Sequence, residues 1–279
     1  MVVLVAGMLT VACRQPSTPS ALVLRWSAIP DRAAESVRAQ HLPLMDLVCQ
    51  AAAVECQWAD AATYPEVVDK LGDGSVDVAF LGAVGFARAH ARHGAVPMVM
   101  RDIDTRFTSV VVVRAGDSLR SLRDLQGRSF TFGDRGSTSG HVMARHFLNA
   151  EGINPEKFFS RVAFSGAHDK TLAAVAAGEA DAGVVSAPIG YEALASDGPY
   201  QGRLRMLWES PVYTDYVWTA RRELPAELRQ RLIDAFLDLD NATVGSRVAL
   251  ARAGAGGFLP AYPGDFRLVT GVLERAGAL

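Results

Sequence analysis

Five side chains are the best placed in this sequence to do chemistry: Tyr64, His168 and the hydroxyl run Ser137, Thr138 and Ser139. Tyr64 stands thirteen residues before Asp77, with Gly74 three before that aspartate, and His168 stands thirteen before Asp181, with Gly178 three before it. The segments VECQWADAATYPEVVDKLGDGSVDVAFLG (54–82) and VAFSGAHDKTLAAVAAGEADAGVVS (162–186) each read as strand, polar loop, helix, Gly turn and strand. Tyr64 and His168 are therefore equivalent positions of an internal repeat, each where a strand ends and a helix begins. Ligands bind at that place in open α/β sheets. Two such sheets predict two lobes facing each other across a cleft, with Tyr64 and His168 on opposite walls. Both can donate to an oxyanion, Tyr64 through its hydroxyl and His168 through a ring N–H.

The run GSTSG (136–140) lies between a strand ending at Phe132 and a helical pattern carried by Met143, Ala144, Phe147 and Leu148. A helix start offers unpaired N–H groups and a partial positive charge, so an anion placed there meets several donors at once. One hydroxyl suffices for an ordinary cap. Three hydroxyls between two glycines read as an anion site.

Other candidates carry less. Asp169 reads as a helix N-cap, and Asp77 and Asp181 as residues that hold turns. His90 and His93 have metal-compatible spacing on a helix, but no Cys, Asp or Glu cluster joins them, and a solvated face accounts for them. No metal or cofactor is expected. Ser137, His168 and Asp169 could suggest a hydrolase, yet the G-x-S-x-G turn is absent and adjacent His and Asp side chains on a helix diverge. Binding is the better reading.

The chain has 279 residues, 49% of them hydrophobic, with mean hydropathy +0.13 and net charge −2. That is enough to build two cores and gives no basic footprint for nucleic acid. MVVLVAGMLTVA (1–12) is uncharged and too short to cross a bilayer, which takes about 20 apolar residues. It reads as the apolar region of an export signal, although without the usual opening Lys or Arg. Cys13 follows Ala12 and precedes the tether RQPSTPS, an arrangement that resembles a bacterial lipoprotein cleavage site with Thr10 in place of the usual Leu. Ordinary signal cleavage is the alternative. Residues 1–20 are thus expected to be signal and tether. Cys49 and Cys56 remain as an even pair that an exported protein could bond, or as two separately buried thiols.

Along the rest of the chain, LVLRWSAI (22–29) predicts a strand, followed by a helix to about Ala53 that Pro43 should kink or restart. GFARAHARHGA (85–95) predicts a helix closed by Gly94. FTSVVVVRAG (107–116) reads as the crossing between lobes, with RLRMLWES (203–210) and YTDYVWTAR (213–221) as the return. Pro225 is placed to open a helix. These boundaries give one lobe from residues 21–106 plus 211–279 and a second from 107–210.

The succession LRWSAIP, ATYPEVVDKL, GSVDVAFLG, FTSVVVVRAGDSLRSLRDLQG, FGDRGSTSGH, FSGAHDKTLAAVAAGEADAG and FLPAYPGDF resembles the phosphate/phosphite/phosphonate-binding periplasmic proteins of ABC transporters, from about residue 22 onward. The resemblance implies a type II periplasmic-binding fold, α/β with two lobes joined by two crossing strands. It implies capture of a small phosphorus oxyanion for an ABC permease, in the periplasm or at the cell surface. Family ligand positions map to Tyr64, Ser137, Thr138, Ser139 and His168. With Cys13 lipidated, the membrane would be met only through the anchor, and a monomer is expected.

Two departures bear on the ligand. Residues 82–86, GAVGF, replace an aromatic hydroxyl common in the family, and VVSAPIG (184–190) offers no carboxylate to an amine. A simple oxyanion is therefore expected to bind better than aminoethylphosphonate, with Asp215 in YTDY the one carboxylate able to swing into the cleft. A sensor subunit for a histidine kinase and the Ser/His hydrolase stay open as alternatives. Arsenite sensing through a cleft cysteine is disfavoured, because the three cysteines are remote from these loops.

Overall fold

The computed structural model describes residues 23–279, so Cys13 and the tether lie outside the described residues. Short apolar runs form its strands: β1 (Val23–Ala28), β2 (Glu55–Trp58), β3 (Val78–Leu81), β4 (Val96–Arg101), β5 (Ser109–Arg114), β6 (Ser129–Phe132), β7 (Arg161–Phe164), β8 (Ala182–Ser186), β9 (Leu204–Glu209), β10 (Val217–Ala220) and β11 (Phe258–Pro260). They make two sheets, one in the order β11-β4-β10-β3-β1-β2 and one in the order β7-β6-β8-β5-β9. The first sheet draws on both ends of the chain and the second on its middle.

The internal repeat is visible in both sheets. β1 pairs in parallel with β2 and β3, and β6 pairs in parallel with β7 and β8. The connecting helices Tyr64–Asp73 and His168–Ala177 are each ten residues long. Each stops at a glycine with φ of 77°, Gly74 and Gly178, a left-handed cap that a side chain would strain. Asp77 accepts from the Arg25 amide at 2.8 Å, and Asp181 accepts from the Ser129 amide at 2.9 Å. In both copies the aspartate ties the turn to the neighbouring parallel strand.

The crossing differs from the sequence expectation. Residues of the FTSVVVVRAG run form β5, which lies inside the second sheet between β8 and β9. Val110 and Val112 face one apolar cluster with Leu172 and Val175, while Val111 and Val113 face another with Phe130 and Phe132. A strand that is apolar on both faces belongs inside a sheet covered by helices, not across a gap. β9 likewise pairs within the second sheet and β10 within the first. The passages between sheets are shorter, and they meet at the bridge between Phe107 and Tyr213. Beside it lies a buried two-pronged ion pair, Arg101 Nη2 to Asp104 Oδ1 at 2.7 Å and Nε to Oδ2 at 2.8 Å, and the Asp104 carbonyl accepts from the Asp215 amide at 3.1 Å.

Pro43 does not restart its helix, which runs unbroken over Ala34–Ala51. A proline removes the N–H that would bond the carbonyl four residues earlier. That carbonyl, Ala39 O, accepts from Arg252 Nη1 at 3.1 Å, which answers the missing donor. Asp169 is not a cap either: the N-cap is Ala167, and Asp169 Oδ2 accepts from the Ala33 amide at 3.1 Å.

The first sheet packs around Trp26, Trp218 and Phe236, with the two indoles 5.1 Å apart. Cys49, near the end of the first helix, is disulfide-bonded to Cys56 in β2, with Cα atoms 6.2 Å apart. No helix among the described residues is long and apolar enough to cross a membrane. Among the same residues no group of three or more His, Cys, Asp or Glu is placed to hold a metal, and His90 Nδ1 lies 2.8 Å from the Ala95 carbonyl.

Candidate functional site

Four helix starts converge at the C-terminal ends of the parallel strands. They begin at Tyr64 after β2, Ala83 after β3, Thr138 after β6 and His168 after β7. Their contacts require the glycines that flank the hydroxyl run. A Cβ at Gly136 would lie 3.1 Å from Tyr64 Cβ, and one at Gly140 would lie 2.9 Å from His168 Cε1. Each start contributes N–H groups without an intrahelical acceptor and a partial positive charge, so the junction favours negative charge.

All five residues picked out from sequence are buried at this junction. Ser137 Oγ caps its own helix, accepting from the Gly140 amide at 3.0 Å, so it does the bland task as well. The Tyr64 phenol is buried too, and burial, then Asp31 and Asp134, push its pKa well above the ordinary value. Thr138 Oγ1 accepts from the Val84 amide at 3.0 Å. Ser139 is held through its backbone: its carbonyl accepts from Ser109 Oγ at 2.8 Å, and that hydroxyl lies 2.7 Å from the Tyr213 hydroxyl. Ser139 Oγ itself meets no protein partner, and neither ring nitrogen of His168 does. The His168 amide donates to the Asp31 carbonyl at 2.9 Å.

Two carboxylates that spacing did not place in the ligand set complete the cluster. Asp215 is 1% exposed; its Oδ1 accepts from the Ala83 amide at 2.9 Å, and its Oδ2 is unpartnered. Burial, first among the causes, raises its pKa to about 7. Asp31 follows β1 and accepts from the Tyr216 hydroxyl at 3.3 Å; burial raises its pKa too, against the lowering influence of Arg32 and Arg101. Topology was the signal for Asp31, since it follows the end of a parallel strand as Tyr64 and His168 do. His168 is held neutral, its pKa lowered to about 3 by burial and then by Arg32. A neutral imidazole offers one N–H donor and one acceptor nitrogen.

The arrangement suits a small, partly protonated oxyanion. Ser139 Oγ and a ring N–H of His168 can donate, the helix starts add partial positive charge, and Asp215 Oδ2 can accept a hydrogen bond from a hydroxyl. It does not suit hydrolysis. Asp169 accepts from Ala33 and Lys170 rather than from the His168 ring, so nothing orients that imidazole as a general base. The wall at residues 82–86 is apolar in side chain but polar in backbone, through the Ala83 and Val84 amides.

The two-sheet α/β fold, with four helix starts meeting at one buried polar junction, is that of a solute-binding protein. Residues 26–266 match the family described as ABC transporter, phosphonate, periplasmic substrate-binding protein, and the chain belongs to that family. It is a transport binding protein and not an enzyme.

Among its relatives, "Probable ABC transporter phosphite binding protein PhnD1" of Prochlorococcus marinus (strain MIT 9301) is 30% identical over 210 residues, which is 72% of this chain and 71% of the relative. "Phosphate-import protein PhnD" of Mycolicibacterium smegmatis is 26% identical over 75% of this chain and 70% of the relative. The solved structure of the Prochlorococcus marinus PhnD1 in complex with methylphosphonate superposes with a TM-score of 0.87 at 26% identity, covering 92% of this chain and 99% of that one.

Proposed function

We propose that this protein captures a small phosphorus oxyanion, namely phosphite, phosphate or a short alkylphosphonate, outside the cytoplasm and delivers it to the permease of an ABC importer. The observation that carries this reading is the set of buried, unpartnered polar atoms at the four helix starts: Ser139 Oγ, both His168 ring nitrogens and Asp215 Oδ2. Buried polar groups without partners are rare in folded proteins, and the four at this junction support it as the ligand position. Tyr64, Ser137, Thr138, Ser139 and His168 bind the oxygens, with Asp215 taking the hydroxyl proton of a monoprotonated anion.

The two sheets are the cores of two lobes, residues 21–106 plus 211–279 and residues 107–210, that close on the ligand. Cys13 is lipidated and tethers a monomer to the membrane through residues of the polar segment that follows it. Isothermal titration with phosphite, phosphate, methylphosphonate, aminoethylphosphonate and sulfate tests the function: tight binding of at least one phosphorus oxyanion is expected, and no binding of any would refute the reading. Mass spectrometry of membrane-extracted protein tests the anchor, with an unmodified Cys13 ruling it out.

A further inference from the structure

A cationic crevice opens beside the first site. It is a cavity of about 360 Å³ whose walls come from both halves of the molecule. Arg88, on the helix Ala83–His93, and Arg275, at the end of the helix Arg267–Arg275, belong to the part built on the first sheet. Arg135, His141, Arg145 and His146 follow β6 in the part built on the second. Val272 and Leu273 add an aliphatic part to the lining.

The positive charge here is poorly compensated. The carboxylates that reach the cluster are Glu156, paired with Arg145 at 2.6 Å, and Asp134, which faces Arg88. Arg88 Nε donates to the Ala278 carbonyl at 3.2 Å, and the Arg135 guanidinium lies 3.9 Å over the Phe164 ring; neither contact neutralises charge. His141 is fixed as a neutral bridge, its Nδ1 donating to the Arg135 carbonyl at 2.9 Å and its Nε2 accepting from Arg145 Nε at 3.2 Å. Burial lowers the pKa of His141, and Arg145, Arg135 and Arg88 lower it further; burial and then Arg275 lower that of His146. Arg88 thus acts on a histidine of the opposite wall.

The crevice is lined by Arg88 and Arg275 from one half and by Arg135 and Arg145 from the other, so closing the halves moves like charges towards each other. Like charges at short range oppose that approach, and an anion with several oxygens placed between them reverses the sign of the interaction. We propose that this crevice is a second anion site, for a multivalent phosphate of the diphosphate type, which forms as the halves close and stabilises the closed state. The site is separate from the helix-start junction, with Arg88 standing between them: it also lines the small cavity shared by Tyr64 and Gly136. Two ligands that both favour one closed state assist each other's binding.

The test is calorimetric titration of the full protein with inorganic diphosphate, alone and in saturating phosphite, for the wild type and for R145Q/R275Q. Diphosphate is expected to bind the wild type, more tightly in the presence of phosphite, and to bind R145Q/R275Q about tenfold or more weakly, the loss of roughly one charged hydrogen bond. Phosphite affinity of the double variant should stay within a factor of about two, which also shows that it folds. A lysine-retaining variant, R145K/R275K, should recover part of the diphosphate binding. Absence of diphosphate binding at millimolar concentration, displacement of diphosphate by phosphite, or equal binding by R145Q/R275Q would each overturn the proposal. If phosphite fails to bind at all while diphosphate binding still depends on Arg145 and Arg275, the first-site reading fails and this one stands.

Discussion

The Thr138 hydroxyl oxygen accepts a hydrogen bond from the Val84 amide at 3.0 Å. That bond fastens the helix start after β6, in one sheet, to the helix start after β3, in the other. The His168 amide to the Asp31 carbonyl and the Ala33 amide to Asp169 Oδ2 tie the same two halves. The two halves are therefore held in contact in this structure, by groups of the helix-start junction.

Closure should depend on ligand, because few of these ties are strong alone. Small-angle scattering of ligand-free protein is expected to show a larger radius of gyration than protein saturated with the oxyanion it binds. T138V, which keeps the shape but removes the acceptor, should weaken the shift. Superimposable curves with and without ligand would count against hinge closure.

Ser139 Oγ is buried and makes no hydrogen bond to a protein group, so its removal should largely spare folding and affect binding. Ser139→Ala is expected to cost about 1–3 kcal/mol of binding to a charged ligand, with little change in melting temperature. Ser137→Ala should lose a similar amount of affinity and also about 1 kcal/mol of stability, since Ser137 caps its helix. Unaltered affinity in both variants would remove the hydroxyl run from the site.

Asp215 gives a pH signature. Its carboxyl is raised from 3.8 to about 7, so the folded chain holds a proton that the unfolded chain releases. Stability of ligand-free protein from this group therefore falls as pH climbs from 3.8 to about 7, and the deficit is constant above that. His168, lowered from 6.5 to about 3, works in the opposite sense, and stability from it is lost as pH falls from 6.5 towards 3. Comparing D215N with wild type isolates the first effect. The variant should gain stability relative to wild type on going from pH 5 to pH 8. Parallel curves would show that Asp215 does not titrate there.

The same residue decides ligand choice. An alkylammonium group buried at the junction needs a free carboxylate oxygen, since an unpaired buried charge is heavily penalised. Asp215 Oδ2 is the one unpartnered carboxylate oxygen of the two, and in the proposed site it takes the hydroxyl of the bound anion; its partner oxygen is committed to Ala83, and Asp31 is committed to Tyr216. Phosphite or methylphosphonate is expected to outcompete aminoethylphosphonate in displacement calorimetry. The reverse order would assign Asp215 to an amine.

The Cys49–Cys56 bond closes a seven-residue separation. Loop-closure entropy gives about 2 kcal/mol for a loop of that size. Reduced protein should melt lower by a few degrees, and thiol titration of denatured, unreduced material exported to an oxidising compartment should find no free sulfur at either position. Two free thiols would refute the bond.

The repeat in the sequence determined which residues are equivalent. A helix start must follow a strand end, and thirteen residues from Tyr64 to Asp77 and from His168 to Asp181 fix one helix and one Gly turn in each copy. Composition of the GSTSG run was equally local, because capping hydroxyls and close-approach glycines act within one turn. The partners across the gap were decided by tertiary structure. Nothing near Thr138 in sequence points to Val84, nothing near His168 points to Asp31, and Asp215 reaches Ala83 over 132 positions of chain. The crossings show the same division. A run of valines is apolar wherever it sits, and only its neighbours on both faces made β5 the inside of a sheet rather than the bridge between two.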